Sequence, residues 1–338
     1  MILVTGANGS GKTSLLEAVW MLGTGRSFRS NRTTPVIRYG AASLTVFGEL
    51  ALEEGRALGL GVSRSRSGES EIRVGGERVR SASALASVMP VQLINPESVE
   101  LVTGGPAERR RFLDWGTFHV EPSFLPAWRA FRRSLDQRNA LLRAGSTSPR
   151  EFELWERQLV SAAEEIDGAR ESYVESLVPF LQAALAELGD PGEVAVHYTR
   201  GWDGNEQYAE LLAASRAADR EAGYTRAGPQ RADLRLVAEG RRAADVLSRG
   251  QQKILACSLL IAQARLLEQR SDRTGIYLVD DLPAELDEAH RRRLGTALAA
   301  MRGQVWVTSV EAGLVAEGLD SAEHMTMFHV EHGRVSAG

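Results

Sequence analysis

The 338-residue sequence predicts an α/β protein: a mixed sheet flanked by helices, an antiparallel β subdomain, and an inserted helical lobe. Three observations predict it. A short apolar strand at 2–5 runs into a glycine-rich turn and then a helix. A continuous apolar run at 275–279, far downstream, ends in two aspartates, as a buried parallel strand does when it reaches the sheet edge. Between them lies a long stretch of helical periodicity. The expected organisation is one head made from 1–106 plus 225–338, with 107–224 as an arm lobe.

The elements follow in order. Leu15, Leu16, Val19 and Leu22 recur at helical spacing over 12–22, and Gly23 and Gly25 end that helix. Residues 44–50, 57–62 and 71–74 change to strand periodicity, with Gly75-Gly76 as a two-residue hairpin turn. Phe124, Trp128, Phe131, Leu135 and Leu142 mark one long helix, and Trp155, Leu159, Ile166, Tyr173, Leu177 and Phe180 another. The polar break at 145–149 makes the pair an antiparallel hairpin, too short for a long coiled coil. Strands are expected at 193–198, 232–237 and 304–308, helices at 204–222 and 248–267, and a closing hairpin turns at His332-Gly333.

Composition narrows the function. At 43% hydrophobic and 25% charged the chain matches globular averages, which excludes wholesale disorder. A net charge of −4 excludes a uniformly basic coat, so any nucleic-acid site is a local patch. No run approaches 18 apolar residues, so no membrane span or membrane partner is expected. The start lacks a basic segment followed by an apolar one, so no signal peptide is expected. Cys257 is the single cysteine, which rules out an internal disulfide or a Cys-rich zinc site; the expected compartment is the cytoplasm. Of 40 basic residues only Lys12 and Lys253 are lysine; genomic base composition accounts for such a bias, and against it each retained lysine suggests a place where an arginine fork would not fit.

Gly6-Ala7-Asn8-Gly9-Ser10-Gly11-Lys12-Thr13 fits the phosphate-binding pattern G-x-x-x-x-G-K-[ST], between a strand and a helix. The glycines allow successive N–H groups to point at phosphate oxygens, and the helix terminus adds its dipole. Lys12 is expected on the β- and γ-phosphates of ATP and Thr13 on Mg²⁺. Asp280 and Asp281 fit a Walker B pair, Asp280 toward Mg²⁺ and Asp281 toward the attacking water. Asp281 is one methylene shorter than the usual glutamate, so slow hydrolysis is expected. Gln92, after Met89-Pro90-Val91, is a candidate Mg²⁺-sensing glutamine. Ser248-Arg249-Gly250-Gln251 opens a helix some 30 residues before the Walker B strand, as the signature of ATP-binding cassettes does. In that class Ser248, Gly250 and Gln251 cap the ATP of a second subunit across a two-fold interface.

In these motifs the sequence resembles the RecF family. The resemblance extends over Gly25-Arg26-Ser27-Phe28-Arg29, Pro96-Glu97, Gly105-Pro106, Arg109-Arg110-Arg111-Phe112-Leu113-Asp114-Trp115, Gln137-Arg138-Asn139, Gly228-Pro229 and 278–287. It implies an ABC-type, SMC-like ATPase head acting as an ATP-dependent dimer on double-stranded or gapped DNA, with weak DNA-stimulated hydrolysis. It also implies a role in recombination, replication and SOS repair, assisting RecO and RecR to load RecA. Three departures are visible. Family members usually begin with a strand hairpin ahead of the phosphate-binding strand, and this sequence starts inside that strand. Gln230 stands where the family often has His. Thr308-Ser309 occupies the switch-histidine position of many cassettes. The rival readings are a transporter ATPase, a non-hydrolysing DNA scaffold, and another SMC-like repair or defence ATPase.

DNA binding is expected from charge. Residues 108–143 hold eight arginines against four acids, and 24–80 hold ten against six. Arg109, Arg110, Arg111, Arg132 and Arg133 are the candidate phosphate contacts. Aromatics are missing from 54–80, which argues for duplex-backbone contact rather than a single-strand stacking platform in that stretch. The six histidines show no metal-ligand spacing.

Overall fold

The computed structural model describes all residues except 31–33, 53–54, 190, 272, 282–285, 311–324 and 338. The described chain divides into two compact units: Met1–Ser98 with Glu187–Gly189 and Leu267–Gly338, and Val99–Ala186 with Asp190–Leu266.

The first unit begins with β1 (Ile2–Thr5) and α1 (Lys12–Thr24). Gly25, in the left-handed conformation at φ +70°, ends α1, and its N–H donates to the Met21 carbonyl at 2.8 Å. Gly23 lies inside the helix, packed on Val91 too closely for any side chain, since a Cβ there would come within 2.5 Å of Cγ1. Four strands follow, β2 (Ser43–Ala51), β3 (Ala57–Ser65), β4 (Ser70–Val74) and β5 (Glu77–Val79), paired in sequence order as an antiparallel sheet. Their alternation puts Leu60, Val62 and Ile72 on one face, against Leu16 and Met21 of α1. After α2 (Ser83–Val88) comes β6 (Val91–Ile94).

The second unit carries α3 (Glu100–Thr103), α4 (Pro106–Val120), α5 (Phe124–Arg143) and most of the 40-residue α6 (Pro149–Leu188). Phe124, Phe131 and Leu135 of α5 bury against Leu159, Ala163 and Ile166 of α6. Gly116 of α4 permits close approach to α6, because a Cβ there would lie 2.0 Å from the Tyr173 hydroxyl oxygen. Strands β7 (Val194–Thr199), β8 (Asp233–Ala238) and β9 (Arg241–Arg242) form a small antiparallel sheet, with α7 (Tyr208–Ala222) between the first two. Then come α8 (Ala243–Val246) and α9 (Arg249–Arg270), which runs on into the first unit.

The first unit closes with β10 (Ile276–Val279), α10 (Glu288–Ala299), β11 (Gln304–Ser309) and the hairpin β12 (Thr326–Glu331) and β13 (Arg334–Ala337). The principal sheet has the order β13-β12-β1-β11-β10-β6, parallel except for β13 at the edge. Leu3, Val4, Leu278, Val279 and Val307 are fully buried, which is why these strands read as continuous apolar runs. Several expected boundaries shift: the first helix runs to Thr24 rather than 22, the strand from Ala57 ends at Ser65 rather than 62, the polar helix starts at Tyr208 rather than 204, and the long helix ends at Arg270 rather than 267. No helix among the described residues is long and apolar enough to cross a membrane.

Candidate nucleotide site and basic surface

The carboxyl ends of β1, β10 and β11 come to one edge of the sheet, where parallel α/β sheets bind ligands. Val4 pairs with Thr308, and Val279 with Val307, so the turn after β1, Asp280 and Thr308 lie side by side.

The turn from Gly6 to Gly11 has φ of +151° at Gly6, +78° at Gly9 and +116° at Gly11. A Cβ at Gly6 would stand 2.3 Å from the Val330 carbonyl, so only glycine lets the loop pass beneath β12. The hairpin tip holds the loop from the other side: the Gly333 N–H donates to the Ser10 carbonyl at 2.8 Å. Lys12 is folded over its own loop, with Nζ donating to the carbonyls of Gly6 at 2.8 Å and Ala7 at 3.1 Å. The amino end of α1 has no side-chain cap and no acid in its first turn. The Ser10 hydroxyl is buried without a hydrogen-bond partner. Open amides, an orphaned hydroxyl and a cation on one glycine cradle fit a polyphosphate.

Asp280 is 8% exposed. Its Oδ1 accepts from the Thr13 hydroxyl at 3.1 Å and from the Thr308 hydroxyl at 2.9 Å. Burial pushes its carboxyl pKa up, while the two hydroxyls pull the other way. Thr308 Oγ1 also accepts from the Asp281 N–H at 2.8 Å, fixing a turn in which Asp281 has φ +48° and an exposed side chain. A hydroxyl and a carboxylate facing a phosphate cradle are the hard oxygen donors that Mg²⁺ takes. Thr308 is the residue that sequence reasoning left without a role. Only the strand register brings it to Asp280; its sequence signals are an apolar run that ends, like 276–279, at a polar residue, and its place where many cassettes carry a switch histidine.

Gln92 is not brought to this group. It sits inside β6 opposite Tyr277, three residues short of Asp280, or about 10 Å along the strand. Asn95 is the residue level with Asp280, whose N–H donates to the preceding Ile94 carbonyl at 2.9 Å. The stretch 282–285 after the aspartates lies outside the described residues.

In the second unit Ser248, Arg249, Gly250 and Gln251 are all exposed. Ser248 and Gln251 form a reciprocal capping box at the start of α9. The Ser248 N–H donates to Gln251 Oε1 at 2.9 Å, and the Gln251 N–H to Ser248 Oγ at 3.3 Å. The box holds the turn rigid and leaves Gly250 with open space around it.

The candidate arginines divide. Arg109 is 8% exposed and grips Asp233 with two nitrogens, at 2.8 and 3.0 Å, so its fork is closed to phosphate. Arg110 is partly buried and donates to the Ala232 carbonyl at 2.8 Å. Arg111 is exposed and paired with Glu108. Arg132 and Arg133 are exposed on α5, with no ion pair among the described residues. Arg138, fully buried, is committed to Glu156 and Asp219, each at 2.9 Å. Arg170 likewise takes Asp114 and the Pro229 carbonyl. Much of the charge excess of 108–143 is therefore internal, because the neutralising acids come from later in the chain.

Comparison with known proteins agrees with this geometry. The model for the RecF/RecN/SMC N terminal domain matches residues 1–336. A Pseudomonas putida protein named DNA replication and repair protein RecF is 51% identical over 334 residues, 99% of this chain and 91% of its own length. A Pseudomonas aeruginosa protein of the same name is 49% identical over 99% of this chain and 90% of its own. A solved structure of the recombination mediator protein RecF with ATP, in the RecFOR pathway, is similar at a TM-score of 0.86. Identity to it is 21%, and the match covers 100% of this chain and 91% of that one. An Smc head domain from Pyrococcus furiosus reaches 0.58 at 16% identity, covering 100% of this chain and 89% of that one. The fold is that of a P-loop ATPase head of the SMC type.

Proposed function

The chain belongs to the RecF family, and from that membership we propose that it is an ATP- and DNA-binding recombination mediator of gap repair. The single observation that carries the nucleotide half is the shared Asp280 oxygen, bound by both Thr13 and Thr308 beside a glycine cradle with a buried, unpartnered Ser10 hydroxyl. The amides from Ala7 to Thr13 and Lys12 hold the phosphates of ATP. Lys12 exchanges two loop carbonyls for phosphate oxygens. Thr13 and Asp280 hold Mg²⁺, and Thr308 keeps Asp280 oriented. When bound, Mg²⁺ ATP supplies the γ-phosphate whose presence or loss sets the state of the protein. Asp281 orients the attacking water from a short side chain, so hydrolysis is slow.

One phosphate loop and one exposed signature occur in each chain, so two chains meet around two nucleotides. Ser248, Gly250 and Gln251 then contact the partner's γ-phosphate, making ATP the glue of a homodimer. The head is 1–106 plus 225–338 and the arm 107–224. Arg111, Arg132 and Arg133 meet the DNA backbone at gaps, without sequence choice. Family membership supports action with RecR and RecO in loading RecA in the cytoplasm. A second reading, a scaffold that binds ATP without hydrolysing it, is favoured by the exposed Asp281 at a left-handed position.

Sedimentation with ATP and with ADP tests the proposal. Lys12→Ala loses ATP binding and stays folded. Ser248→Arg binds ATP and stays monomeric. A Ser248→Arg protein that dimerises with ATP, or a wild type that dimerises equally with ADP, overturns the clamp. Single-turnover hydrolysis separates the two readings.

A further inference from the structure

The antiparallel sheet of the first unit has a second, solvent-facing side. Strand pairing puts Phe47 opposite Gly61, Gly61 opposite Arg73, and Arg73 opposite Arg78, one row across four strands. Residues directly opposite in an antiparallel pair share a face. Phe47 is 68% exposed, and Arg73 and Arg78 are exposed. Gly61 leaves an open floor between ring and arginines, where the nearest side-chain atom to a would-be Cβ is Arg73 Cβ at 3.7 Å. The ring leans over Gly59, on the same face, 3.3 Å from where its Cβ would be. Across a strand spacing of about 4.8 Å, Arg73 lies about 10 Å from Phe47 and Arg78 about 14 Å.

Two features of this row work against stability. A large apolar ring stands in water, and two like charges sit directly opposite each other, which disfavours sheet pairing. Glu71, bonded to Arg73 at 2.6 Å, offsets only part of that repulsion. The stretch 54–80 contains no aromatic, but pairing brings Phe47 to it from the neighbouring strand.

We infer that this face is a single-strand platform: Phe47 stacks on an unpaired base while Arg73 and Arg78 take the flanking phosphates. The chemistry selects single-stranded DNA over duplex. A lone exposed ring gains contact area only from a base whose faces are open, and a glycine floor admits that base without displacing side chains. The two arginines supply the complementary charge. The inference deepens the reading of the chain as a gap-binding protein, since a gap offers an unpaired strand beside a duplex.

Fluorescence anisotropy with an oligo-dT strand and with a blunt duplex tests it. Phe47→Ala is expected to weaken oligo-dT binding about tenfold, with Phe47→Trp retaining it. Arg73→Glu with Arg78→Glu is expected to flatten the oligo-dT salt slope by about 1.4, two contacts at about 0.7 each. None of these changes moves duplex affinity, whereas Arg132→Glu with Arg133→Glu weakens duplex binding and leaves oligo-dT binding in place. Unchanged oligo-dT affinity in Phe47→Ala overturns the platform, as does a Phe47→Ala effect confined to self-association in sedimentation. Unchanged duplex binding in the Arg132/Arg133 variant instead overturns the assignment of the duplex site, independently of the platform.

Discussion

Replacing Thr308 by valine removes one hydroxyl and almost no volume. The residue is fully buried and its Oγ1 makes two bonds: it accepts from the Asp281 N–H at 2.8 Å and donates to Asp280 Oδ1 at 2.9 Å. A neutral bond contributes about 0.5–1.5 kcal/mol and a bond to a charged group about 1.5–3, so Thr308→Val is expected to cost about 2–4.5 kcal/mol. Thr13 still holds the same Asp280 oxygen, which keeps the loss toward the lower end. The functional consequence is separate from stability. Without the bond the Asp281 turn loses what fixes it at φ +48°, and Asp280 is held in place by Thr13 alone. The assay is urea unfolding together with a Mg²⁺ titration of ATP binding. Thr308→Val is expected to be less stable and to need several-fold more Mg²⁺, and Thr308→Ser to restore both. A valine variant within about 0.5 kcal/mol of wild type, the usual spread of neutral surface changes, with the same Mg²⁺ midpoint, would refute the assignment of Thr308 as the residue that positions Asp280.

Other predictions follow from single contacts. Arg138→Met leaves Glu156 to Arg216 alone and Asp219 to Arg226 alone, so it is expected to cost toward the lower end of about 3–5 kcal/mol in urea unfolding while leaving the salt slope of duplex binding unchanged. Arg109→Ala likewise acts on stability rather than DNA affinity, because Asp233 occupies its fork. Gly6→Ala drives a Cβ into the Val330 carbonyl and is expected to abolish nucleotide binding, read by isothermal titration. Asp287 caps α10 through the His290 N–H, and the backbone and side-chain hydrogen bonds of His290 hold its carboxyl below the ordinary aspartate range. A depressed carboxyl stabilises the fold above the unfolded value, and that contribution fades as pH falls through the lowered one. The protection of α10 amides, taken relative to their intrinsic exchange rates at each pH, should therefore fall in acid, and Asp287→Asn should abolish that pH dependence.

The glycine turn between β1 and α1 was legible in the sequence because its physics is local. Spacing of Gly6, Gly9 and Gly11, a strand before and a helix after, are properties of one short segment, and Lys12 and Thr13 fall where that segment places them. The parallel strands were legible for the same reason: burial on both faces leaves an unbroken apolar run. The capping box at Ser248 and Gln251 is also local, three residues apart on one turn. Charge counts along 108–143 misled in part, because a count of neighbours in sequence is blind to partners in space. Arg109 finds Asp233 and Arg138 finds Asp219, each from an element more than 80 residues later. Thr308 reaches Asp280, and Phe47 joins Arg73 and Arg78, only through strand register, which is decided by how whole strands pack. Sequence by itself determined the chemistry of single turns and the burial of single strands. Which side chains meet across strands was decided by tertiary structure, since pairing energies are summed over an entire sheet and leave no mark on any one residue.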